Sequence, residues 1–285
     1  MKVFDNFDLT NYNSYRVHSS CKRAIFLESE KDVFDYYSAH KDTEKVLLGS
    51  GHNIILSKDY YEQDFVIFNG NFSTITVEND VIEAEAGAEM LEISNVAHQN
   101  ALSGVEIFYD IPSSLGGAIV MNAGASGEEI KDVLVKVRYL DLADMDIKEI
   151  VKEEMGFEYR NSFFQRNTDK IVLRAWLRLQ PSEKESILSK MESVKKARWE
   201  KQPKDLPNAG SVFKRPPGYY VGAIMDELGL KGFTVGGAKI SEKHGGFIVN
   251  FNEATGHDIV ALIKETQAKV FAKFGVMLEI EQRII

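Results

Sequence analysis

Residues 111–127 read IPSSLGGAIVMNAGASG, a run of small and apolar residues without a charged side chain. Residues 48–56, LGSGHNIIL, have a similar composition and directly follow a predicted strand. Small residues let several backbone N–H groups point at one acceptor, for which a pyrophosphate is the usual ligand. Tight turns between strands contain the same glycines, and for either segment alone they are the commoner explanation. Two such long, nearly uncharged segments together favour the wall of a buried cofactor site.

The two best-known nucleotide-binding motifs are absent from the sequence. There is no Gly-x-x-x-x-Gly-Lys-Ser/Thr, which excludes a P-loop protein. No Gly-x-Gly-x-x-Gly opens a helix after the first strand, so a Rossmann dinucleotide site is not supported. A dinucleotide bound without either motif indicates another flavin-binding fold.

The composition is that of a globular, acidic protein. Among 285 residues, 44% are hydrophobic and 27% charged, which argues against disorder and fibrous repeats. The net charge of -9 disfavours free nucleic acid and anionic membranes as partners. The one cysteine, Cys21, excludes an intramolecular disulfide and fits a reducing cytoplasm. The N-terminus lacks a signal-peptide pattern and no run of 18 apolar residues exists, so we expect a cytoplasmic protein.

Periodicity and turn residues predict an N-terminal α+β region and a smaller α/β unit. Helices are expected at residues 31–39, 89–99, 182–199 and 221–228, and strands at 45–48, 65–68, 74–78, 81–86, 133–140, 170–178, 246–250 and 277–285. Thr255 and Asp258 form a capping pattern for a further helix that ends at Gly275. Two prolines in 201–207 indicate a linker, so we expect domains at 1–200, with two subdomains divided near residue 70, and at 201–285.

The buried faces of two helices follow from the same periodicity. For the helix at 182–199 the predicted face is Ile187, Leu188, Met191 and Val194. For the helix that begins at Thr255 it is Ile259, Val260, Leu262, Ile263, Val270, Phe271 and Phe274.

Six segments resemble the UDP-N-acetylenolpyruvoylglucosamine reductase family in order and spacing. They are residues 48–55, 111–127, 159–162 (YRNS), 208–214 (NAGSVFK), 236–250 and 279–285. The similarity extends from about residue 9 to the end, and the stretch 201–250 is its most specific part. The short gap between Arg160 and Asn208 resembles the shorter of the family's two types, which lacks an inserted substrate-covering loop.

The resemblance implies a fold, a cofactor and a reaction. The fold is α+β, with a vanillyl-alcohol-oxidase/PCMH-type FAD-binding region and a smaller C-terminal α/β substrate-binding domain. The cofactor is FAD, and NADPH is the reductant. The reaction reduces UDP-N-acetylglucosamine enolpyruvate to UDP-N-acetylmuramate in peptidoglycan precursor synthesis. We expect non-covalent FAD, because Cys21 and His18 lie outside the glycine segments and His52 lies in the turn expected at the pyrophosphate.

Three residues match the family's catalytic positions. Arg160 is placed to bind the substrate carboxylate with its guanidinium fork. Ser211 is placed as the general acid that protonates the carbanionic carbon, and Glu281 as a group that polarises the carboxylate. Each has a plainer interpretation when taken alone: a surface arginine, a turn serine bonded to its own backbone, and a solvated strand face.

The resemblance also assigns binding residues. The expected FAD-binding residues are Gly49, Ser50, Gly51, His52, Asn53, Ile54, Pro112, Ser113, Ser114, Gly116, Gly117, Asn122, Gly124, Ala125 and Gly127. The expected substrate-binding residues, most of them cationic, are Asn208, Lys214, Arg215 and Lys239. The six histidines have no metal-ligand spacing, so no metal is expected. We expect a monomer.

The sequence departs from the family in the predicted flavin shell. Ser50 and Ser113 stand where glycine is usual, His52 where serine is usual, and Ser126 where an aromatic residue is usual. A Cβ where φ is positive costs about 1 kcal/mol, so FAD affinity is affected more than the reaction. Two other functions therefore stay open at this point: another FAD oxidoreductase on the same scaffold, or a UDP-sugar-binding homologue without flavin.

Overall fold

The computed structural model describes residues 1–68 and 70–285, which form two compact units. The first unit consists of Met1–Val3, Ala24–Ser50 and Phe65–Ala197. The second consists of Phe4–Arg23, Gly51–Asp64 and Arg198–Ile285. The second unit thus begins its longest segment near the predicted boundary at residue 200, and it also includes two stretches from the N-terminal region.

Seven α-helices occur in the described residues. They are α1 (Glu30–Ala39), α2 (Met90–Gln99), α3 (Leu115–Met121), α4 (Phe163–Arg166), α5 (Lys184–Lys201), α6 (Val221–Glu227) and α7 (Gly256–Phe274). Short 3-10 turns lie at Thr10–Tyr12, Glu106–Asp110, Ile130–Asp132 and Lys152–Glu154.

The same described ranges contain eighteen strands, many of them short. They are β1 (Lys2–Asp8), β2 (Ser20–Phe26), β3 (Lys45–Leu48), β4 (Ile54–Ile55), β5 (Tyr60–Ile67), β6 (Ile75–Glu78), β7 (Val81–Glu85), β8 (Leu102–Ser103), β9 (Gly124–Ala125), β10 (Glu128–Glu129), β11 (Leu134–Asp141), β12 (Asp146–Val151), β13 (Lys170–Arg178), β14 (Gln180–Pro181), β15 (Thr234–Val235), β16 (Ala238–Ile240), β17 (Ile248–Asn250) and β18 (Arg283–Ile284). One four-stranded sheet has the order β1-β2-β5-β3.

The first unit is organised around a five-stranded antiparallel sheet of order β12-β11-β13-β7-β6. Helices α2 and α3 contact β7, and α3 and α4 contact β13. The central strand β13 supplies alternate residues that are completely buried, among them Leu173, Ala175 and Leu177. Full burial of a leucine or isoleucine stabilises by about 1.5–3 kcal/mol. The packing of α3 on this sheet fixes the position of the glycine-rich segment.

The second unit is organised around α7. Thr255 Oγ1 accepts from the Asp258 N–H at 3.1 Å and Asp258 Oδ2 accepts from the Thr255 N–H at 2.9 Å, so the predicted capping box is confirmed. Gly275 ends the helix with φ +64°, in the left-handed region expected for a C-terminal glycine. Helix α7 contacts β4, β15 and β16. Its residues Ile259, Leu262, Ile263 and Val270 are completely buried.

Most predicted elements are confirmed within a few residues, and the corrections have local causes. The predicted strand at 277–285 is wrong, because only β18 and a single bridge at Ile280 form there. Leu188 and Phe271 are 40% and 52% exposed, so they do not belong to the buried faces of their helices. A register shift lies between Leu134 and Lys136 in β11, where Leu134 is buried.

Candidate active site

In the first unit, the predicted segments at 48–50 and 111–117 lie against each other. Ser50 Oγ accepts from the Ser114 N–H at 2.9 Å. A Cβ on Gly49 would lie 2.4 Å from Ser114 Oγ, so any larger residue there would force this hydroxyl out of its position. Ser114 also caps α3 by accepting from the Gly117 N–H at 3.3 Å. The serine at position 50, unusual for the family, therefore has a structural partner.

Asn122 connects the end of α3 to the hairpin of β9 and β10. It is completely buried and adopts φ +44° as the C-terminal cap of the helix. Its Nδ2 donates to Glu129 Oε2 and to the Glu158 carbonyl, both at 2.9 Å. These two acceptors fix the orientation of the amide, because a flipped amide would face them with its oxygen. Its Oδ1 is then left without a hydrogen-bond partner in the described part of the chain.

Arg160 lies at the tip of a short hairpin closed by mutual backbone hydrogen bonds between Glu158 and Asn161. Its guanidinium donates to the Gly124 carbonyl at 2.9 Å and the Asn122 carbonyl at 3.4 Å, and Nη1 lies 3.9 Å from Glu129 Oε1. The side chain is only 18% exposed. The guanidinium of Arg160, the predicted catalytic cation, is therefore hydrogen-bonded directly to the predicted flavin-binding loop at Gly124.

In the second unit, the turn Gly51-His52-Asn53 lies beside the C-terminal segment. The Arg283 N–H donates to the Asn53 carbonyl at 3.0 Å, and β4 pairs with β18 in parallel. Asn53 Nδ2 donates to the Glu281 carbonyl at 3.3 Å. The structure thus places the predicted pyrophosphate turn next to the residue predicted to polarise the substrate.

His52 carries a second unpartnered buried atom. Its Nδ1 has no hydrogen bond within the described residues. Burial, and then the positive charges of Arg16 and Lys204, lower its pKa from 6.5 to about 4. The imidazole is neutral at pH 7. His52 Nδ1 in the second unit and Asn122 Oδ1 in the first are thus buried polar atoms without partners in the described residues, each on a residue predicted to bind flavin, and each is available to a polar atom of a ligand.

We expect the lowered pKa of His52 to make folding acid-sensitive. Between pH 6.5 and about 4 the unfolded chain binds a proton that the native state does not, so stability falls as the pH falls through this window. The loss is at most about 3 kcal/mol. Urea unfolding at pH 7 and pH 5 should show a smaller decrease for His52→Gln than for the unchanged protein. The control His257→Gln, at an exposed position on α7, should keep the full decrease.

Ser211 and Glu281 lie on neighbouring extended segments of the second unit. Ser211 forms a bridge with Phe247, and the Val212 N–H donates to the Gly246 carbonyl at 3.0 Å. On the other side, the Glu281 N–H donates to the Val212 carbonyl at 2.8 Å. Ser211 is half-buried, and its Oγ makes no hydrogen bond in the part of the chain that the structure describes. The backbone of Val212 is thereby hydrogen-bonded to both Gly246 and Glu281, which brings the segments of Ser211 and Glu281 side by side.

Gln282 is a site residue that the sequence did not reveal. It is 3% exposed, accepts from the Tyr15 hydroxyl at 2.9 Å, and donates to the carbonyls of Ala209 and Gly210 at 2.9 and 3.2 Å. These bonds fix the turn directly before Ser211. Alternation along the stretch EIEQR places Gln282 on the face of Ile280, opposite Glu281 and Arg283, but its position between two charged residues gave no signal of these hydrogen bonds.

The predicted substrate-binding residues have partners of their own. Asn208 donates to the Pro203 and Leu206 carbonyls at 2.7 and 2.9 Å, within its own loop. Lys214 pairs with Glu279 at 2.5 Å and Lys239 with Glu242 at 3.1 Å. Arg215 stacks over the exposed ring of Tyr220 at 3.7 Å from the centroid. Exposed ion pairs are worth at most about 1 kcal/mol, so an anionic ligand can displace their carboxylates.

Among residues 1–68 and 70–285, no group of three or more histidine, cysteine, aspartate or glutamate side chains could hold a metal ion. None of the helices described is long and apolar enough to cross a membrane.

Comparison with known proteins identifies a family model for each of two parts of the chain. The profile of the FAD binding domain matches residues 22–150, and that of the UDP-N-acetylenolpyruvoylglucosamine reductase C-terminal domain matches residues 202–285. A PCMH-type FAD-binding region joined to such a C-terminal domain makes the chain an FAD-dependent oxidoreductase of the α+β class.

Relatives that match over nearly the full length of the chain identify the family. The reductase of Caldanaerobacter subterraneus is 42% identical over 100% of this chain and 94% of its own length. That of Syntrophomonas wolfei is 38% identical over 98% and 94%. The crystal structure of UDP-N-acetylenolpyruvylglucosamine reductase from Thermus caldophilus superposes with a TM-score of 0.85 at 32% identity, over 100% of this chain and 99% of that one. The chain belongs to the UDP-N-acetylenolpyruvoylglucosamine reductase family, and the predicted family and fold class are confirmed.

Proposed function

We propose that the protein reduces UDP-N-acetylglucosamine enolpyruvate to UDP-N-acetylmuramate, with NADPH as the source of electrons, in the synthesis of peptidoglycan precursors. The observation that carries the proposal is the adjacency of Ser211 and Glu281 on hydrogen-bonded segments in a chain that matches this reductase family over its full length. Such a pair suits a reaction that needs a proton at one carbon and a polarised carboxylate beside it.

Different residues of the chain bind the substrate carboxylate, stabilise the developing charge and donate the proton. FAD, when bound, would supply the hydride for the terminal carbon of the enol ether. Arg160 binds the substrate carboxylate and stabilises the negative charge that develops there, while Glu281 polarises the same group. Ser211 donates its proton to the adjacent carbon. Because a hydroxyl is a weak acid, the transfer relies on the high basicity of the enolate beside it.

FAD and the substrate are bound by different sets of residues. FAD is bound non-covalently by residues of the three loops at 49–54, 112–117 and 122–127, where Asn122 and His52 present unpartnered polar atoms. Asn208, Lys214, Arg215 and Lys239 bind the UDP moiety. The region 1–200 serves the cofactor and 201–285 the substrate. The protein acts as a monomer in the cytoplasm, a location that fits its single, buried and unpaired Cys21.

One assay tests the proposal. Purified protein with bound FAD should oxidise NADPH only when UDP-N-acetylglucosamine enolpyruvate is present, and mass spectrometry should show a product two hydrogen atoms heavier. UDP-N-acetylglucosamine, which lacks the enolpyruvyl group, serves as the control and should give no oxidation. NADPH oxidation that is equally fast with the control sugar, or absent with the enolpyruvyl sugar, would contradict the proposal.

Arg160→Lys should weaken the reaction without unfolding the protein. Lysine keeps the charge but loses the planar fork that can bind a carboxylate in two places. We expect a fall in kcat/KM of roughly 30- to 150-fold, which corresponds to about 2–3 kcal/mol for hydrogen bonds to a charged group. Steady-state kinetics should show both a higher KM and a lower kcat. The control Arg178→Lys, on an exposed side chain of β13, should leave both constants unchanged.

A further inference from the structure

His244 makes a specific contact with the backbone two residues further on. Its Nδ1 accepts a hydrogen bond from the Gly246 N–H at 3.1 Å. The ring also meets Phe247 edge to face at 4.8 Å between centroids. A Cβ on Gly246 would approach the imidazole at 3.1–3.2 Å, so the turn fits closely around the ring. Burial lowers the pKa of His244, which keeps the imidazole neutral and Nδ1 available as an acceptor.

The backbone held by His244 is the one that pairs with Ser211. Gly246 accepts from the Val212 N–H at 3.0 Å, and Phe247 bridges to Ser211. The loop is closed at its base by the Phe247 N–H, which donates to the His244 carbonyl at 3.0 Å. Ser211 Oγ itself makes no hydrogen bond in the described residues, so its position follows from the backbone register together with the χ1 rotamer of Ser211.

We propose that His244 is a positioning residue for Ser211, acting through the Gly246–Phe247 backbone rather than by contact with the substrate. The proposal rests on the proposed function of Ser211 as proton donor. The imidazole fixes the Gly246 peptide, the peptide fixes the register of Val212, and that register sets where the hydroxyl of Ser211 lies. A shift of about 1 Å in a reacting group can cost about 100-fold in rate.

Two variants of His244 distinguish the role of its hydrogen-bond acceptor, Nδ1, from the role of the ring contact with Phe247. Asparagine readily accepts a hydrogen bond from the N–H two residues further on, the geometry that Nδ1 provides here. Leucine has a similar bulk and no acceptor. Both His244→Asn and His244→Leu lose the ring contact with Phe247, so a difference between them reports the hydrogen bond.

The test follows the two half-reactions in the full-length protein with bound FAD. Stopped-flow absorbance gives the rate of flavin bleaching by NADPH and the rate of colour recovery with UDP-N-acetylglucosamine enolpyruvate. For His244→Leu we expect recovery to slow by about 10- to 100-fold while bleaching stays within about twofold. For His244→Asn we expect a rate of colour recovery within about threefold of the wild-type rate. Equal recovery in the two variants, or an equal loss in both half-reactions, would overturn the proposal.

Hydrogen exchange gives a result that does not depend on activity. The Val212 amide should exchange about 3- to 10-fold faster in His244→Leu than in the unchanged protein, and at the original rate in His244→Asn. If the unchanged protein does not recover its colour with the enolpyruvyl sugar, the proposed function fails. The exchange rates still decide the positioning in that case, because equal protection of Val212 in all three proteins would overturn it.

Discussion

Ser211→Ala should leave bleaching of the flavin by NADPH nearly unchanged and slow the recovery of colour by the enolpyruvyl UDP-sugar about 10²–10⁴-fold. The two half-reactions differ in their need for a proton, since only the second delivers one to carbon. The hydroxyl of Ser211 makes no hydrogen bond among the described residues, so its removal should not disturb the fold. Stopped-flow absorbance measures both rates.

A second substitution at the same position serves as the control. Ser211→Cys keeps a proton donor of similar size, so recovery should return part of the way towards the original rate. The thermal unfolding midpoints of the three proteins should agree within about 2 °C. If Ser211→Ala slows bleaching and recovery by the same factor, Ser211 has a structural role and the assignment of the acid is wrong.

Gly51→Ala should destabilise the protein by about 3–5 kcal/mol, a large effect for a single methyl group. Gly51 has φ +70°, and a Cβ there would overlap the backbone carbonyl of Tyr12. Because the obstacle is backbone, no side-chain rotation relieves it. The Ser14 N–H donates to the Gly51 carbonyl at 3.1 Å, so the displacement would also break a hydrogen bond. Urea unfolding gives the free energy of unfolding.

Gly218→Ala provides the matched control for Gly51. Gly218 has a similar φ of +77°, and no atom lies within 4 Å of the position its Cβ would occupy. This variant should therefore lose only about 1 kcal/mol, the cost of a left-handed alanine. The difference between the two variants isolates the steric effect. Equal losses would show that the turn can move away from Tyr12.

Local patterns predicted the elements whose signals lie within a few residues. The capping box at Thr255 and the terminal Gly275 are of this kind, and both have the expected backbone. Helix α3 was not predicted, because Gly116 and Gly117 have low helix propensity. The serine cap and the packing of Leu115 and Ile119 on the sheet outweigh that propensity.

The sequence identified residues of the candidate site, but not the hydrogen bonds that join them. The residues came from resemblance to a family, and the sequence could not show that Arg160 donates to Gly124, or that Gln282 spans from Tyr15 to Gly210. Such contacts join residues that are distant in sequence, and neither periodicity nor turn chemistry reports them. The exposure of Leu188 and Phe271 likewise cannot be read from helical periodicity.

The interleaved segments of the second unit impose an order of events during synthesis. Residues 4–23 and 51–64 leave the ribosome long before Arg198–Ile285, with which they form one compact unit. The parallel partner of β4 is β18, and the partner of Tyr15 is Gln282. At about 5–20 residues per second, the early segments wait roughly 10–45 s for these partners. During that interval Ile54, Ile55 and Tyr15 have no native surface against which to bury, so the nascent chain is exposed to aggregation and to chaperones until residues 282–284 have been made.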